Sequence, residues 1–223
     1  RAGTLDGAVA YSMEKIRGGS DDSAEEQFKA EFLTQLGFAA IGGAVSGYLQ
    51  DFTVIAGGDI AFYGDLGSED APLGEVDVAG ASILMGAIYT SNEPITMQGP
   101  MNLSKNAVVS SLGGAIDLKG TIDGGFEAYN LTIDAGSGTL VLGDGVLVGN
   151  LGSISPLGNV DILATSGILL PNIYTAGGSI TIRSMSNLGF DIAFTTTLAK
   201  NLSSPDNPNG ADISFLSSVD GTY

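Results

Sequence analysis

The side chains of this chain that could do chemistry are nearly all carboxylates. Asp and Glu number 25 against 8 Lys and Arg, a net charge of −17, and the 223 residues include no His, no Cys and no Trp. Without His or Cys there is no Ser-His-Asp triad, no thiolate nucleophile, no haem or iron–sulfur ligation and no ordinary zinc site. Paired carboxylates stand at Asp21-Asp22, Glu25-Glu26 and Glu69-Asp70, and Asp123, Asp134, Asp144 and Asp161 follow. Stacked on one surface they would suit Ca²⁺, which takes about six to eight oxygen ligands. No tandem GGxGxDxUx array is present, and a solvated acidic face is the plainer account of these groups. The metal-ligand set is therefore unknown, calcium is the one cofactor left open, and no other is expected.

Cleavage of a polysaccharide needs grouped carboxylates, or a cation beside a carboxylate to hold charge and remove a proton. Arg183 is the only Arg after residue 17, with Asp161 and Asp191 as candidate partners; Lys105, Lys119 and Lys200 are the other cations beyond residue 50. An isolated surface Arg is the commoner case, so no catalytic residue is assigned. Thr132, Thr175, Thr181 and Thr195-Thr196-Thr197 suggest a water-ordering Thr face, but their spacing is irregular and strand preference explains them. Asn102, Asn130 and Asn201 fit the glycosylation pattern by chance. Tyr63, Tyr89, Tyr129 and Tyr174 could stack on sugars, while Tyr89 and Tyr174 read as a stacked structural pair.

Partners are bounded by the same composition. Eight scattered cations cannot neutralise a nucleic acid backbone or an anionic membrane surface. The apolar stretch at residues 36–49, with Gly43 and Gly47 in small-xxx-small spacing, falls short of the ~20 residues that span a bilayer. With 43% hydrophobic and 15% charged residues the chain should fold. It begins at Arg1, which reads as a removed leader or a cut piece, and the missing Cys suits a bacterial exported protein.

Two kinds of element would position these groups. Residues 1–50 read as helical. Ser23 and Glu26 form a capping box, and Phe28, Phe32, Leu33 and Leu36 share one face of a helix over 23–36. A weaker helix covers 5–16. This segment is expected to cap the rest or dock on it.

From residue 51 to 223 the texture changes to short apolar–x–apolar triplets separated by Gly, Asn, Asp and Ser. They include Ile60-Ala61-Phe62, Val76-Asp77-Val78, Ile83-Leu84-Met85, Ile95-Thr96-Met97, Ile116-Asp117-Leu118, Leu131-Thr132-Ile133, Val160-Asp161-Ile162, Ile180-Thr181-Ile182 and Ile213-Ser214-Phe215. This is period two, with the outer residues pointing inward. Three residues are short for a strand of a sandwich and suit one face of a β-solenoid coil. Gly and Asn would occupy the corners, where positive φ is needed. A β-sandwich of hairpins is the alternative, signalled by Asp144-Gly145 between two Leu/Val triplets.

The segment from Pro72 to Met97 repeats from Pro156 to Ile182: PLG-x-VD, an apolar triplet, IYT, then an IT triplet. The offset is 84 residues at Pro72/Pro156 and 85 at Ile88/Ile173, and a looser match of residues 58–62 with 114–118 has an offset of 56. Taken as multiples of 28, these offsets predict coils of about 25–28 residues, six or seven in all.

The phrases at residues 58–62, 72–77, 130–145 and 177–182 resemble filamentous-haemagglutinin-type repeats of bacterial surface adhesins. The resemblance covers roughly residues 52–194. It implies a right-handed parallel β-helix, export to the cell surface or medium, and a structural or adhesive role. The expected protein is thus an all-β, right-handed parallel β-helix with an N-terminal helical segment. It is expected to be a non-enzymatic extracellular protein that associates with copies of itself in a fibre or sheath. An adhesin fragment that binds a glycan or a host protein is the first alternative, and a polysaccharide-active enzyme the second.

Overall fold

The computed structural model describes residues 33–34, 38–143, 150–165, 168–188, 191–197 and 209–221. Within them the chain is all-β, and every pairing between strands is parallel. The first sheet holds Leu33–Thr34, Phe52–Ala56, Val76–Ala79, Ile95–Gln98, Ile116–Lys119 and Leu140–Leu142. The second holds Phe38–Ile41, Asp59–Phe62, Ser82–Met85, Met101–Leu103 and Ile122–Asp123. The third holds Ile88–Tyr89, Ala107–Ser110, Leu131–Asp134, Val160–Leu163, Ile180–Ile182 and Ile213–Phe215. Single bridges extend the third sheet back through Leu66 to Val45 and carry the second onward through Leu151 to Ile173. The sandwich alternative is therefore absent from the described residues. Its hairpin turn, residues 144–149, lies outside them.

The chain visits the sheets in a fixed order. Phe52–Ala56, Asp59–Phe62 and Leu66 lie in the first, second and third; Val76–Ala79, Ser82–Met85 and Ile88–Tyr89 repeat the cycle, and so do the next six strands. This recurring order is consistent with a β-solenoid. Inward residues stack on like residues. In the first sheet Val54, Val78, Met97, Leu118 and Leu142 stand one above the next, so successive turns take 24, 19, 21 and 24 residues. In the third, Ile88, Val109, Ile133, Ile162 and Ile182 do the same and are fully buried. Each such aliphatic side chain contributes about 1.5–3 kcal/mol by leaving water. None could do so in an isolated triplet, which is why the stack holds together as a whole.

Two expectations change. Leu33–Thr34 and Phe38–Ile41 are strands that pair with Ile55–Ala56 and with residues 59–62, so the sheets begin before residue 51 and the helix read over 23–36 does not extend through Leu33. The apolar spacing there fits a short strand as well as a helix, and backbone pairing with the next rung decides it. Residues 1–32, including the rest of the expected helices, lie outside the described residues. The second change is the turn length. Val76 is in the first sheet, which the chain crosses again at Ile95, Ile116 and Leu140, but its repeat-mate Val160 is in the third. The 84-residue offset covers three turns and two faces more, so dividing it by three makes the turn too long.

The corners are built in two ways. Between the first and second sheets Gly80, Gly99 and Gly120 stack, and the backbone at Gly99 has a φ of +130°. Between the second and third sheets an asparagine ladder runs up the molecule. The N–H of Asn130 donates to Asn106 Oδ1 at 2.9 Å, that of Asn159 to Asn130 Oδ1 at 2.7 Å, and that of Ser179 to Asn159 Oδ1 at 2.8 Å. These Asn residues serve through their side chains. Among the described residues the positive-φ positions outside glycine are Leu49, Asn92, Leu112 and Ala128. Asn130→Ala removes the acceptor for the Asn159 N–H and is expected to cost about 1 kcal/mol in urea denaturation. Asn130→Asp keeps the acceptor and should recover most of that.

Candidate functional site

The outward positions of the strands carry the candidate chemistry. On the first sheet Thr53, Asp77, Thr96 and Asp117 form one column. Asp117 Oδ2 pairs with Lys119 Nζ at 3.1 Å, and Oδ1 of both Asp77 and Asp117 is buried without a hydrogen-bond partner. On the third sheet Thr132, Asp161, Thr181 and Ser214 form the corresponding column. Asp161 interrupts any Thr face there. Thr175 and Thr196 are buried, so they cannot join one.

Arg183 is held by Asp161 through a fork, Nε to Oδ1 at 2.9 Å and Nη2 to Oδ2 at 3.0 Å. The hydrogen bond to Asp161, and then its charge, raise the guanidinium pKa further, while desolvation opposes them weakly. The pair sits exposed on an outer sheet face, where such bridges add little stability. Asp191, the other candidate partner, does not enter this fork.

Asp65 and Lys105 make a longer strap. Lys105 Nζ lies 2.8 Å from Asp65 Oδ1 and 2.9 Å from Oδ2, and Oδ1 also accepts the N–H of Ala87 at 2.8 Å. The lysine crosses the intervening turn at Gly86, where a Cβ would lie 2.7 Å from both Lys105 Cε and Asp65 Oδ1. With Lys119 and Arg183 also paired, all the basic side chains among the described residues are in ion pairs.

Other carboxylates hold backbone. Buried Asp123 accepts the N–H groups of Ile154 and Ser155 at 2.8 and 3.1 Å, fixing the loop of the next turn. Asp134 accepts the N–H of Gly136 at 2.8 Å within a tight turn. Glu69 and Asp70 are exposed on a loop. Burial first, then the charges of Glu69 and Asp65, raise the Tyr89 phenol pKa. Among the described residues no three acidic side chains converge as a metal site would require. Asp21, Asp22, Glu25, Glu26, Asp144, Lys200 and Asn201 lie outside the described residues.

Tyr89 and Tyr174 are not a stacked pair. Tyr89 is in the third sheet beside Ser110, and Tyr174 pairs with Thr195 in a separate two-stranded sheet. Their local roles still match: the carbonyl of Tyr89 accepts the N–H of Leu73, and that of Tyr174 accepts the N–H of Leu157. The repeat preserves a local hydrogen-bond pattern and not a place on the stack. Of the glycosylation matches, Asn130 has its side-chain oxygen in the corner ladder and Asn102 lies mid-strand on the second sheet.

One feature had no signal in motif or spacing. Ile180, Ile182 and Ser186 are fully buried, yet their partners on the next turn are exposed: Ile213 by 41%, Phe215 by 36% and Val219 by 38%. Ile213–Phe215 is the outer strand of the third sheet among the described residues. The Ile180 N–H donates to the Asp212 carbonyl and the Leu216 N–H to the Ile182 carbonyl. In parallel pairing the alternate residues, Ile213 and Phe215, then turn their own N–H and C=O away from Ile180–Ile182. Elsewhere two apolar side chains protrude from adjoining loops, Phe126 at 97% exposure and Ile154. Ser155 Oγ binds the carbonyl of Gly125 and ties those loops together.

No helix of the described residues is long and apolar enough to cross a membrane. Compared with protein-family models, with curated proteins and with solved structures, the chain has no significant match.

Proposed function

We propose that the chain closes into a right-handed parallel β-helix and serves outside the cell as a non-enzymatic structural protein that associates with copies of itself in a fibre, sheath or filament. The ladder of parallel rungs carries this reading: rung joins rung through strand edges alone, and such an edge pairs with further β-structure, a second copy included. The fixed order of the sheets supports closure, and the right-handed preference of parallel crossovers supports the hand. The resemblance to filamentous-haemagglutinin-type repeats supports the exterior location. Against a hydrolytic or lyase role, the one arginine of the described residues is engaged by Asp161 on an open sheet face.

A second reading, an adhesive fragment, draws on the Phe126–Ile154 protrusion, because large exposed apolar side chains mark contact sites. Light scattering and negative-stain micrographs of the purified chain separate the two. Particles that grow with protein concentration are expected. A monomer at every concentration, with hits on a glycan array, would favour the adhesive reading instead.

A further inference from the structure

We infer that the corner after the second sheet is a binding ridge for a linear, uncharged glycan, with Tyr63 and Phe126 as its stacking platforms and the Asp65–Lys105 pair between them. The inference rests on the adhesive reading and holds whether or not the chain also associates with itself. Strand register places these groups on successive rungs. As the chain leaves the second sheet, Tyr63 follows Phe62, Gly86 follows Met85, Ser104 and Lys105 follow Leu103, and Phe126 stands three residues beyond Asp123. Tyr63 and Phe126 are three rungs apart, about 14 Å at ~4.8 Å per rung. Both lie inside the stack, with paired segments on the rungs before and after them. Their exposure, 62% and 97%, therefore belongs to the corner and not to an end of the sheets.

Between the two rings the ridge is polar. Gly86 brings no side chain, and Lys105 reaches across it to Asp65; the two side chains stay 45% and 35% exposed. A ring, a hydrogen-bonding pair and a second ring match the make-up of a sugar chain. Its C–H faces stack on aromatics, and its hydroxyls donate to a carboxylate and accept from an ammonium. One rung step is comparable with the length of one hexose unit, so the ridge suits a short run of sugars. The Phe126 platform is formed before a ligand arrives. Buried Asp123 accepts the N–H groups of Ile154 and Ser155, and Ser155 Oγ donates to the Gly125 carbonyl. Little ordering then opposes binding. A protein partner is a poorer match, because a few apolar side chains split by an ion pair do not make the continuous apolar centre of a stable interface. Charge selects among glycans. The chain carries −17, the basic side chains of the described residues are paired, and Glu127 stands exposed beside Phe126. Sulfated or uronic chains are repelled and a neutral one is not.

Native affinity electrophoresis of the full chain tests this, through gels that hold mixed-linkage β-glucan, galactomannan, arabinoxylan or dextran, with polygalacturonate as the anionic control. Retardation is expected in at least one neutral gel and none in polygalacturonate. Tyr63→Ala and Phe126→Ala should each weaken it about threefold to tenfold, and together they should remove it. Both side chains are exposed, so the urea midpoint should not move, which separates lost binding from lost folding. Leu112→Ala, at an exposed leucine on the corner after the third sheet, should leave retardation unchanged. No retardation in any neutral gel overturns the inference and the adhesive reading together, and particles that still grow with concentration then leave self-association standing. Retardation that survives the double substitution, or that falls equally in Leu112→Ala, overturns the ridge but leaves the adhesive reading standing. Retardation by polygalacturonate alone overturns the inference through its charge selection. Particle growth lost in Phe126→Ala, with no neutral glycan bound, shows that a second copy covers the ridge and overturns the inference as well.

Discussion

Gly99→Ala is expected to lower the folding stability by about 3–5 kcal/mol. A Cβ at Gly99 would lie 2.1 Å from the carbonyl oxygen of Gly80 on the rung below, and one at Gly120 would lie 2.2 Å from the carbonyl of Gly99. Neither rung can yield. The N–H of Gly80 donates to the Gln98 carbonyl at 2.9 Å and that of Gly99 to the Lys119 carbonyl at 2.9 Å, which fixes the spacing. The backbone at Gly99 also has φ of +130°, so a side chain is strained there whatever the space. Gly57, in the corresponding corner of an earlier turn, has nothing within 4 Å of its Cβ position. Gly57→Ala should therefore change stability by well under about 1 kcal/mol. Urea denaturation followed by circular dichroism gives both values. Equal effects of the two substitutions would show that the glycine column is not a close-packed corner.

The second large effect compares neighbours on one ladder. Ile180→Ala leaves a cavity beneath Ile213 in a fully buried column and is expected to cost about 2–5 kcal/mol. The same change at Ile213, already 41% exposed, should cost about half as much in dilute protein. The cost at Ile180 should exceed that at Ile213 in dilute protein. Equal costs would mean that Ile213 is as deeply buried in solution as Ile180.

The triplets were legible because the period of two is written residue by residue. Val76-Asp77-Val78 and Ile180-Thr181-Ile182 are strands with a buried–outward–buried pattern, as their spacing requires. Their shortness pointed to parallel rungs, and the described strand pairings are parallel. Several strands of the second sheet escaped notice. Ile122–Asp123 has two residues and a carboxylate in second place, which no apolar alternation marks. The site was less legible. Arg183 with Asp161 was foreseeable from two scarce charges, but Asp65 with Lys105 was not. They stand 40 residues apart and meet only because two turns stack between them.

What the sequence by itself determined is local: strand length, the alternation of inward and outward residues, the glycine and asparagine corners, and an acidic exterior without His or Cys chemistry. These follow from bond geometry, side-chain polarity and composition, and need no distant partner. The tertiary structure decided which face each phrase occupies. PLG-x-VD leads into the first sheet at Val76 and into the third at Val160, with the same hydrogen bonds on a different side of the stack. A triplet is satisfied wherever an apolar rung lies beneath it, so its place depends on how many residues the preceding turns consumed, from 18 to 33 along the strand pairings. That running sum exists only in the stacked chain.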